Sequence, residues 1–186
     1  LSDNRFILGA GVGWMKEEFD IYGVDFHRRG AITDESIEVL RKLWRGGMVE
    51  HHGEFFDFPR VQLSPAPTKQ PAIYIGGSSA AALRRTARVG DGYIGAGTAP
   101  QDVAPLLARL QSLRAECGRE HLPFEAMLGI ADTPSYDLYA RLRDDGLDST
   151  VAPPFLYALG KRHSSLDEKK RYMEDYAENI IRRLAD

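Results

Sequence analysis

The chain is short of cysteine and of long hydrophobic runs, and neither sign of charge is in large excess. Its single cysteine, Cys117, can form no internal disulfide bond and lacks a second thiolate for a cysteine-based zinc site, which favours a reducing, cytoplasmic location. No apolar run is long enough to cross a bilayer. The 24 basic and 27 acidic residues give a formal net charge of -3 without the basic patch typical of nucleic-acid binding. We therefore expect no membrane and no nucleic-acid partner.

Length and composition are those of an ordinary globular protein. The 186 residues are 43% hydrophobic and 27% charged, which predicts one domain spanning residues 1–186. The first residues lack the basic and then apolar pattern of a signal peptide. This also favours a cytoplasmic protein.

Strand-like and helix-like segments alternate along the chain. Such alternation predicts an α/β fold with a parallel sheet and crossover helices, about five βα units in all, interrupted by a short β-hairpin insertion. Five units are too few for the eight of a closed barrel. The predicted strands cover 6–8, 72–75, 92–97, 124–130 and 150–152; the hairpin covers 48–58; the predicted helices cover 26–45, 80–90, 100–118, 132–146 and 165–184. Asp132 and Thr133 are the predicted start of the fourth helix. Ser165 and Glu168 form a predicted capping box at the start of the last helix, whose inward stripe is Tyr172, Tyr176, Ile180 and Leu184.

The segment from Ala72 to Gly97 reads as strand, glycine turn, helix and second strand with little between them. After the apolar strand come Gly76 and Gly77, and Ser78 or Ser79 can cap the helix. Such a turn directs backbone N–H groups and the positive end of a helix to one point, where phosphate commonly binds. A helix start of this kind also occurs without any ligand. The arginines of this helix, from Leu83 to Arg88, are expected on a solvated face.

A second glycine-rich loop follows the first predicted strand. Its glycines, with Gly11 and Gly13 the last two, are spaced too closely for a dinucleotide fingerprint, and no helix begins directly after them. Trp14 either forms a wall for a flat aromatic ligand or packs the loop down together with Phe19. Glu17 is a weak candidate for proton transfer, because a surface carboxylate is the more ordinary interpretation.

Adjacent histidines lie in the predicted hairpin. His51 and His52 could form a pair of metal ligands, but adjacent residues point to opposite faces of a strand, which favours a surface role over that pair. We expect a surface role for them and predict no metal site.

Eight short runs of sequence follow one another along the first half of the chain. They are Arg5-Phe-Ile-Leu-Gly-Ala-Gly-Val-Gly-Trp14, Glu17-Glu-Phe19, Gly23-Val-Asp-Phe26 with Arg29, Leu40-Arg-Lys-Leu-Trp44, His52-Gly-Glu-Phe-Phe-Asp-Phe58, Pro65-Ala-Pro67, Ile73-Tyr-Ile-Gly-Gly-Ser-Ser79 and Gly90-Asp-Gly-Tyr93. In this order and at this spacing they resemble the luciferase-like monooxygenase family, and within it the oxidoreductases that use coenzyme F420. The resemblance is close over about the first hundred residues and looser beyond them, where Val151-Ala-Pro-Pro-Phe155 is similar to the final barrel strand of the family.

The resemblance implies a (β/α)8 TIM barrel of which this chain is the C-terminal portion. The first predicted strand corresponds to the fourth strand of the family, so the first three βα units are lacking. A complete barrel takes roughly 250 residues. Whether the chain is a fragment or a natural truncation is open. We expect the apolar edge beside residues 6–8 to favour a homodimer or another association through that strand.

The resemblance also implies a cofactor, either F420 or FMN, and an oxidoreductase that transfers hydride to, or monooxygenates, a small organic substrate. The phosphate of the cofactor would lie on the loop after the family's fifth strand and near the end of the sixth strand. The ring of the cofactor would lie beside the loop after the fourth strand. The alternative is a catalytically silent truncated barrel that serves as a cofactor-binding or subunit module. No catalytic residue is assigned, because the family takes those groups largely from its first three strands. The implied phosphate residues are Gly76, Gly77, Ser78, Ser79, Gly97 and Thr98, and the implied ring-side residues are Gly11, Gly13 and Trp14.

Overall fold

A computed structural model describes residues 5–153 and 155–185 of the chain. The chain divides into two compact units, Leu1–Gly92 and Tyr93–Asp186. A division into compact units does not test the number of domains, so the single domain stays a prediction.

In the first unit, two parallel strands are joined through two helices and a hairpin. Strand β1 pairs with β4 in parallel, with Ile7 opposite Ala72 and Ala10 opposite Ile75. The elements are β1 (Ile7–Ala10), α1 (Lys16–Tyr22), a 3-10 turn (Phe26–Arg28), α2 (Arg29–Trp44), β2 (Val49–His52), β3 (Asp57–Val61), β4 (Ala72–Gly76) and α3 (Ala80–Val89). The apolar core lies where Ile37 of α2 meets Ile73 and Ile75 of β4.

The second unit continues the alternation of strands and helices. Its strands neighbour one another in the order β5, β6, β7, and β7 runs parallel to β6. The elements are β5 (Gly92–Thr98), a 3-10 turn (Pro100–Asp102), α4 (Val103–Glu116), β6 (Glu125–Ile130), α5 (Tyr136–Asp144), β7 (Ser149–Thr150), α6 (Phe155–Ala158), α7 (Leu166–Tyr176), a π turn (Ala177–Ile181) and α8 (Arg182–Ala185). Fully buried Val103, Leu128 and Leu142 form its core. The predicted α/β class and the hairpin insertion are confirmed.

Asp91, which follows α3, joins the end of this helix to the start of β4 by hydrogen bonds. Its backbone N–H donates to Ile73 O at 2.8 Å, and its carboxylate accepts from Ile73 N at 2.9 Å. Arg41 of α2 donates to the same carboxylate at 2.9 Å and to Val89 O at 2.8 Å. The carboxylate thus fixes the start of β4, the end of α3 and the face of α2.

Two helix caps follow the prediction and one does not. Ser79 Oγ accepts from Ala82 N at 3.2 Å, and Ser165 forms the predicted capping box with Glu168. Helix α5 begins later than expected, because Ser135 and not Asp132 or Thr133 is its N-cap. The sequence-based prediction named only Asp132 and Thr133, whereas in the structure the Ser135 side chain accepts from Leu138 N at 3.2 Å.

The hairpin is tied to α2 by a carboxylate that sequence reasoning did not single out. The backbone amides of Glu54, Phe55 and Phe56 all donate to Glu35, at 3.1, 3.0 and 2.8 Å. His51 is 5% exposed and its Nε2 lies 3.1 Å from Glu35 Oε1. The expected surface role is therefore wrong for His51. The prediction that the two histidines point to opposite faces of the strand is right, because His51 is buried and His52 is exposed.

The charged neighbours of His51 determine which of its ring nitrogens carries the hydrogen. Lys42 Nζ lies 3.0 Å from His51 Nδ1, and an ammonium can only donate, so Nδ1 is the acceptor and Nε2 carries the hydrogen that Glu35 accepts. Burial raises the pKa of Glu35, but the hydrogen bonds from Phe56, Phe55 and His51 outweigh it and the pKa is lowered. Glu35 is therefore the ionised acceptor on which the hairpin tip is built.

Replacing Glu35 by alanine should release the hairpin tip. With its acceptor gone, we expect the amides of Glu54, Phe55 and Phe56 to exchange at least about tenfold faster, because each loses its hydrogen bond. Hydrogen–deuterium exchange measures this directly. Amides of α4 serve as the internal reference, and unchanged exchange at the tip would show that Glu35 does not hold it.

The capping box of α7 should titrate at low pH. Hydrogen bonds from Lys161 and from the backbone and side chain of Ser165 lower the pKa of Glu168 to about 2 from 4.5. Because the folded pKa is depressed, the cap's contribution is complete above pH 4.5 and is lost as the pH falls towards 2. Carboxyl 13C shifts of Glu168 should report this titration by NMR. A midpoint near 4.5 would mean that the box does not form in solution.

The C-terminal helical stretch contains one π turn. An i,i+4 stripe such as Tyr172, Tyr176 and Ile180 overshoots a full α-helical turn by about 40° at each step. The wider turn at Ala177–Ile181 rotates the chain back, and Ile180 remains buried. The prediction of a plain helix missed this turn. Across the part of the chain that the structure describes, no helix is both long and apolar enough to cross a membrane.

Candidate functional site

The carboxyl ends of β1 and β4 form one edge in the first unit. The strands are parallel, and Ala10 lies opposite Ile75, so residues 11–15 and 76–79 leave the sheet at the same edge. Loops at this edge are where α/β folds carry their ligand sites. The predicted residues Gly11, Gly13, Trp14 and those of the loop 76–79 are therefore on the same side of the sheet.

The loop between β4 and α3 has the features of an anion cradle. Gly77 has a φ of +108°, and a Cβ added there would lie 3.1 Å from Ala82 Cβ. Ser79 caps the helix, and the first-turn amides of Ala80 and Ala81 precede the helix's own hydrogen-bonding ladder. No acidic residue lies in this first turn, and the loop is exposed from Gly77 to Ser79. The positive helix end is thus open to a negatively charged group.

Helix α3 is held in place by a charge pair. Arg85 is 8% exposed, and its Nε donates to Asp34 Oδ1 at 2.7 Å while a second nitrogen donates to Gly30 O at 3.1 Å. Arg88 also contacts Asp34 at 2.8 Å. Burial raises the pKa of Asp34, but hydrogen bonds and attraction from Arg85 and Arg88 outweigh it, and the pKa is lowered.

This pair corrects one sequence-based expectation. Arg84 and Arg88 are exposed as predicted, but Arg85 is not on a solvated face. The available signal was its place in the helix, since Arg85 shares the buried side with Ala82 and Thr86. Its partner Asp34 is 51 residues away in the chain, and no local pattern connects the two.

The loop after β1 is packed by Phe19 and leaves Trp14 outside. Gly13 has a φ of +80°, and a Cβ there would come within 2.8 Å of the Phe19 ring. The Phe19 ring meets Phe26 edge-on with centroids 5.3 Å apart, and the Arg29 guanidinium lies 3.7 Å above Phe26. Trp14 is 80% exposed, so the prediction that Trp14 packs the loop is wrong, whereas the prediction that Phe19 packs it is right. The role of Trp14 as a ligand wall stays a prediction.

The remaining predicted phosphate residues lie in the second unit. Gly97 and Thr98 end β5; Gly97 has a φ of +69° with no atom within 4 Å of an added Cβ, and Thr98 O accepts from Ala131 N at 2.8 Å. A Cβ added to Gly95 would lie 2.8 Å from Leu128 Cδ2 and 2.9 Å from the Tyr93 ring, so these buried side chains would have to shift. The participation of Gly97 and Thr98 in a cofactor site stays a prediction.

Other candidate features lie away from these loops. Glu17 is exposed in the first turn of α1. Cavities of about 1000 Å³ beside α2 and the hairpin and about 500 Å³ beside α4 are not lined by any predicted cofactor residue. Among residues 5–153 and 155–185, no cluster of His, Cys, Asp and Glu could hold a metal ion.

Sequence comparison gives the family of the chain. The profile of the luciferase-like monooxygenases matches residues 1–135, and the chain belongs to this family. It is 40% identical over 182 residues to the uncharacterized protein Rv0940c of Mycobacterium tuberculosis, covering 97% of this chain and 62% of that protein. It is 33% identical over 140 residues to the pyrimidine monooxygenase RutA of Methylorubrum populi, covering 71% of this chain and 37% of that protein. The chain thus spans about three fifths or less of these relatives' length.

Solved structures show the fold. An F420-dependent secondary alcohol dehydrogenase in complex with an F420-acetone adduct matches with a TM-score of 0.60 at 20% identity, over 95% of this chain and 56% of that chain. The F420-dependent tetrahydromethanopterin reductase of Methanopyrus kandleri gives a TM-score of 0.62 at 13% identity, over 95% and 74%. The predicted luciferase-like TIM-barrel fold, in partial form, is confirmed.

Proposed function

We propose that this chain supplies the phosphate-holding part of the cofactor site in an F420- or FMN-dependent oxidoreductase. The observation that carries the proposal is the Gly76–Ser79 loop, which is exposed from Gly77 to Ser79 and opens onto the N-terminus of α3 at the edge where β1 and β4 end. Family membership supports an oxidoreductase. Matching structures hold F420 in one case and modified FMN in a riboflavin lyase with a TM-score of 0.50 at 17% identity, covering 68% of this chain and 34% of that chain.

The residues fit such a group in charge and in shape. Amides of the first turn of α3 and the hydroxyl of Ser78 would donate to the phosphate, and Gly77 lets the backbone approach it closely. Trp14, on the loop after β1, would form the wall beside the ring. Bound there, the cofactor would supply hydride transfer, or oxygen activation for monooxygenation of a small organic substrate.

Binding with and without the phosphate tests the proposal. We expect micromolar binding of FMN or F420 by fluorescence titration, and at least about tenfold weaker binding of riboflavin or of the deazaflavin core lacking its phosphate. Equal affinity for both forms would move the phosphate away from this loop. Absence of binding for all four compounds would support the alternative, a module without a cofactor of this type.

The exposed strand β1 supports a further proposal about assembly. Phe6 is 53% exposed and Ile7 is 40% exposed, and in the described residues β1 pairs with β4 on one side. An apolar edge of this kind favours association, so we propose a homodimer or another association through β1. Light scattering after size exclusion should show a mass that rises with concentration, and Ile7→Lys should suppress the rise. A concentration-independent monomer would contradict it.

We also propose a cytoplasmic location. Cys117 is a free and exposed thiol, and exposed free thiols persist where the compartment is reducing. Fractionation of the producing cells, with the chain followed by antibody, tests this location.

A further inference from the structure

Helix α1 is weakly attached to the first unit. Helix α2 buries two residues and α3 buries four, whereas α1 buries none. Its N-cap Met15 makes no side-chain hydrogen bond, and a helix of this length is not stable by its own propensity. Its aromatic anchor is Phe19, which contacts Phe26.

Glycines in left-handed conformation bracket the segment. Gly13 precedes α1 with a φ of +80°, and Gly23 ends it with a φ of +66°. A Cβ added to Gly23 would meet no atom within 4 Å, so glycine is required there by the backbone conformation and not by space. Short glycine segments at the ends of an element are where hinge motion is absorbed.

Large apolar side chains on this segment face water. Trp14 is 80% exposed, Tyr22 is 81% exposed, and Ile21 is exposed to the same degree. Exposed apolar side chains concentrated in so short a stretch are typical of a surface that contacts a ligand or another part of a protein. The segment leaves the sheet at the same edge as the Gly76–Ser79 loop.

We propose that α1 is a lid that closes over the ligand held at this edge. Phe19 stays against Phe26 as the pivot, Gly13 and Gly23 absorb the change in backbone angles, and Trp14 and Tyr22 lose their exposure to water. Closure would exclude water from the site during hydride transfer. This inference rests on the proposed cofactor binding and adds a moving part to it.

Hydrogen–deuterium exchange with and without FMN or F420 tests the lid, with binding measured separately by ultrafiltration of the same samples. We expect the amides of residues 14–23 to exchange rapidly in the free protein and at least about tenfold more slowly once ligand is bound. Bound ligand with unchanged exchange would overturn the lid and leave the proposed function intact. If neither compound binds, both fall together. Protection in the free protein that grows with its concentration would show that a second copy covers α1, and would overturn the lid.

Hinge variants with a matched control sharpen the test. Gly23→Val should reduce ligand-induced protection of residues 14–23 at least about fivefold, since a β-branched residue rarely adopts positive φ. Gly118→Val is the control, because Gly118 has a φ of +65° and open space around it at the end of α4. Circular dichroism verifies folding, and Gly23→Ala is the milder hinge variant should valine prevent it. Full protection in a folded Gly23 variant would overturn the hinge.

Discussion

Replacing Gly77 by valine should weaken FMN or F420 binding at least about 30-fold, or roughly 2 kcal/mol, while changing riboflavin affinity less than about threefold. Valine cannot keep a φ of +108°, and its side chain would crowd Ala82, which lies 3.1 Å from the position of a Cβ. The loop must reorganise, and the first-turn amides of α3 then no longer point towards the phosphate. Hydrogen bonds to a charged group contribute about 1.5–3 kcal/mol each, so losing one explains the effect.

The Gly118→Val control separates this effect from general backbone strain. It introduces the same residue at a left-handed glycine at the far end of α4, so it should lower stability without selecting between FMN and riboflavin. Fluorescence titration of both variants gives the four affinities. Equal losses for FMN and riboflavin in Gly77→Val would show that the loop does not bind the phosphate.

Removing the carboxylate of Asp34 should destabilise the protein by about 2–4 kcal/mol. Arg85 would remain buried with one described acceptor, Gly30 O at 3.1 Å, and an uncompensated buried cation is costly. Asp34 is itself about one third exposed, which places the effect below that of a fully buried pair. Urea unfolding of Asp34→Ala should show the change, together with a fall in Tm of about 5–12 °C.

An exposed ion pair provides the control for this measurement. Glu178 and Arg182 form an i,i+4 pair whose side chains are both largely exposed, and Glu178→Ala should change stability by about 0.5 kcal/mol or less. The lowered pKa of Asp34 adds a pH signature. Its contribution is complete above pH 3.8 and is lost as the pH falls through the folded value, so wild type and Asp34→Ala should converge in acid. A gap that persists in acid would assign the loss to packing instead.

Sequence patterns predicted the parts of this fold that depend on neighbouring residues. The glycines that break the strands, the cap at Ser79 and the capping box at Ser165 are local signals, and each lies where expected. Where several residues of N-cap type lie close together, as before α5, the local pattern does not tell which one has the extended backbone of the N-cap; in the structure it is Ser135.

Contacts between distant residues were beyond such patterns. The pair of Asp34 with Arg85 and the binding of the hairpin tip by Glu35 join groups about 20 to 50 residues apart. Residue type suggested surface positions for both Arg85 and His51, because charged and polar groups are usually exposed. Burial became acceptable only through partners supplied by another element. For the site, the glycine turn could be predicted, but the lack of buried residues in α1 and the exposure of Trp14 could not.

The π turn at Ala177–Ile181 has a consequence for the evolution of the chain. A π turn amounts to one residue inserted into an α-helix, so deleting a single residue there would restore a regular helix and keep Tyr172 and Leu184 near their places. The same deletion in the middle of α4 would rotate every later side chain of that helix by about 100°. Relatives that differ in length by one residue near the C-terminus should therefore carry the gap at 177–181, and alignments of the family gain a fixed point there.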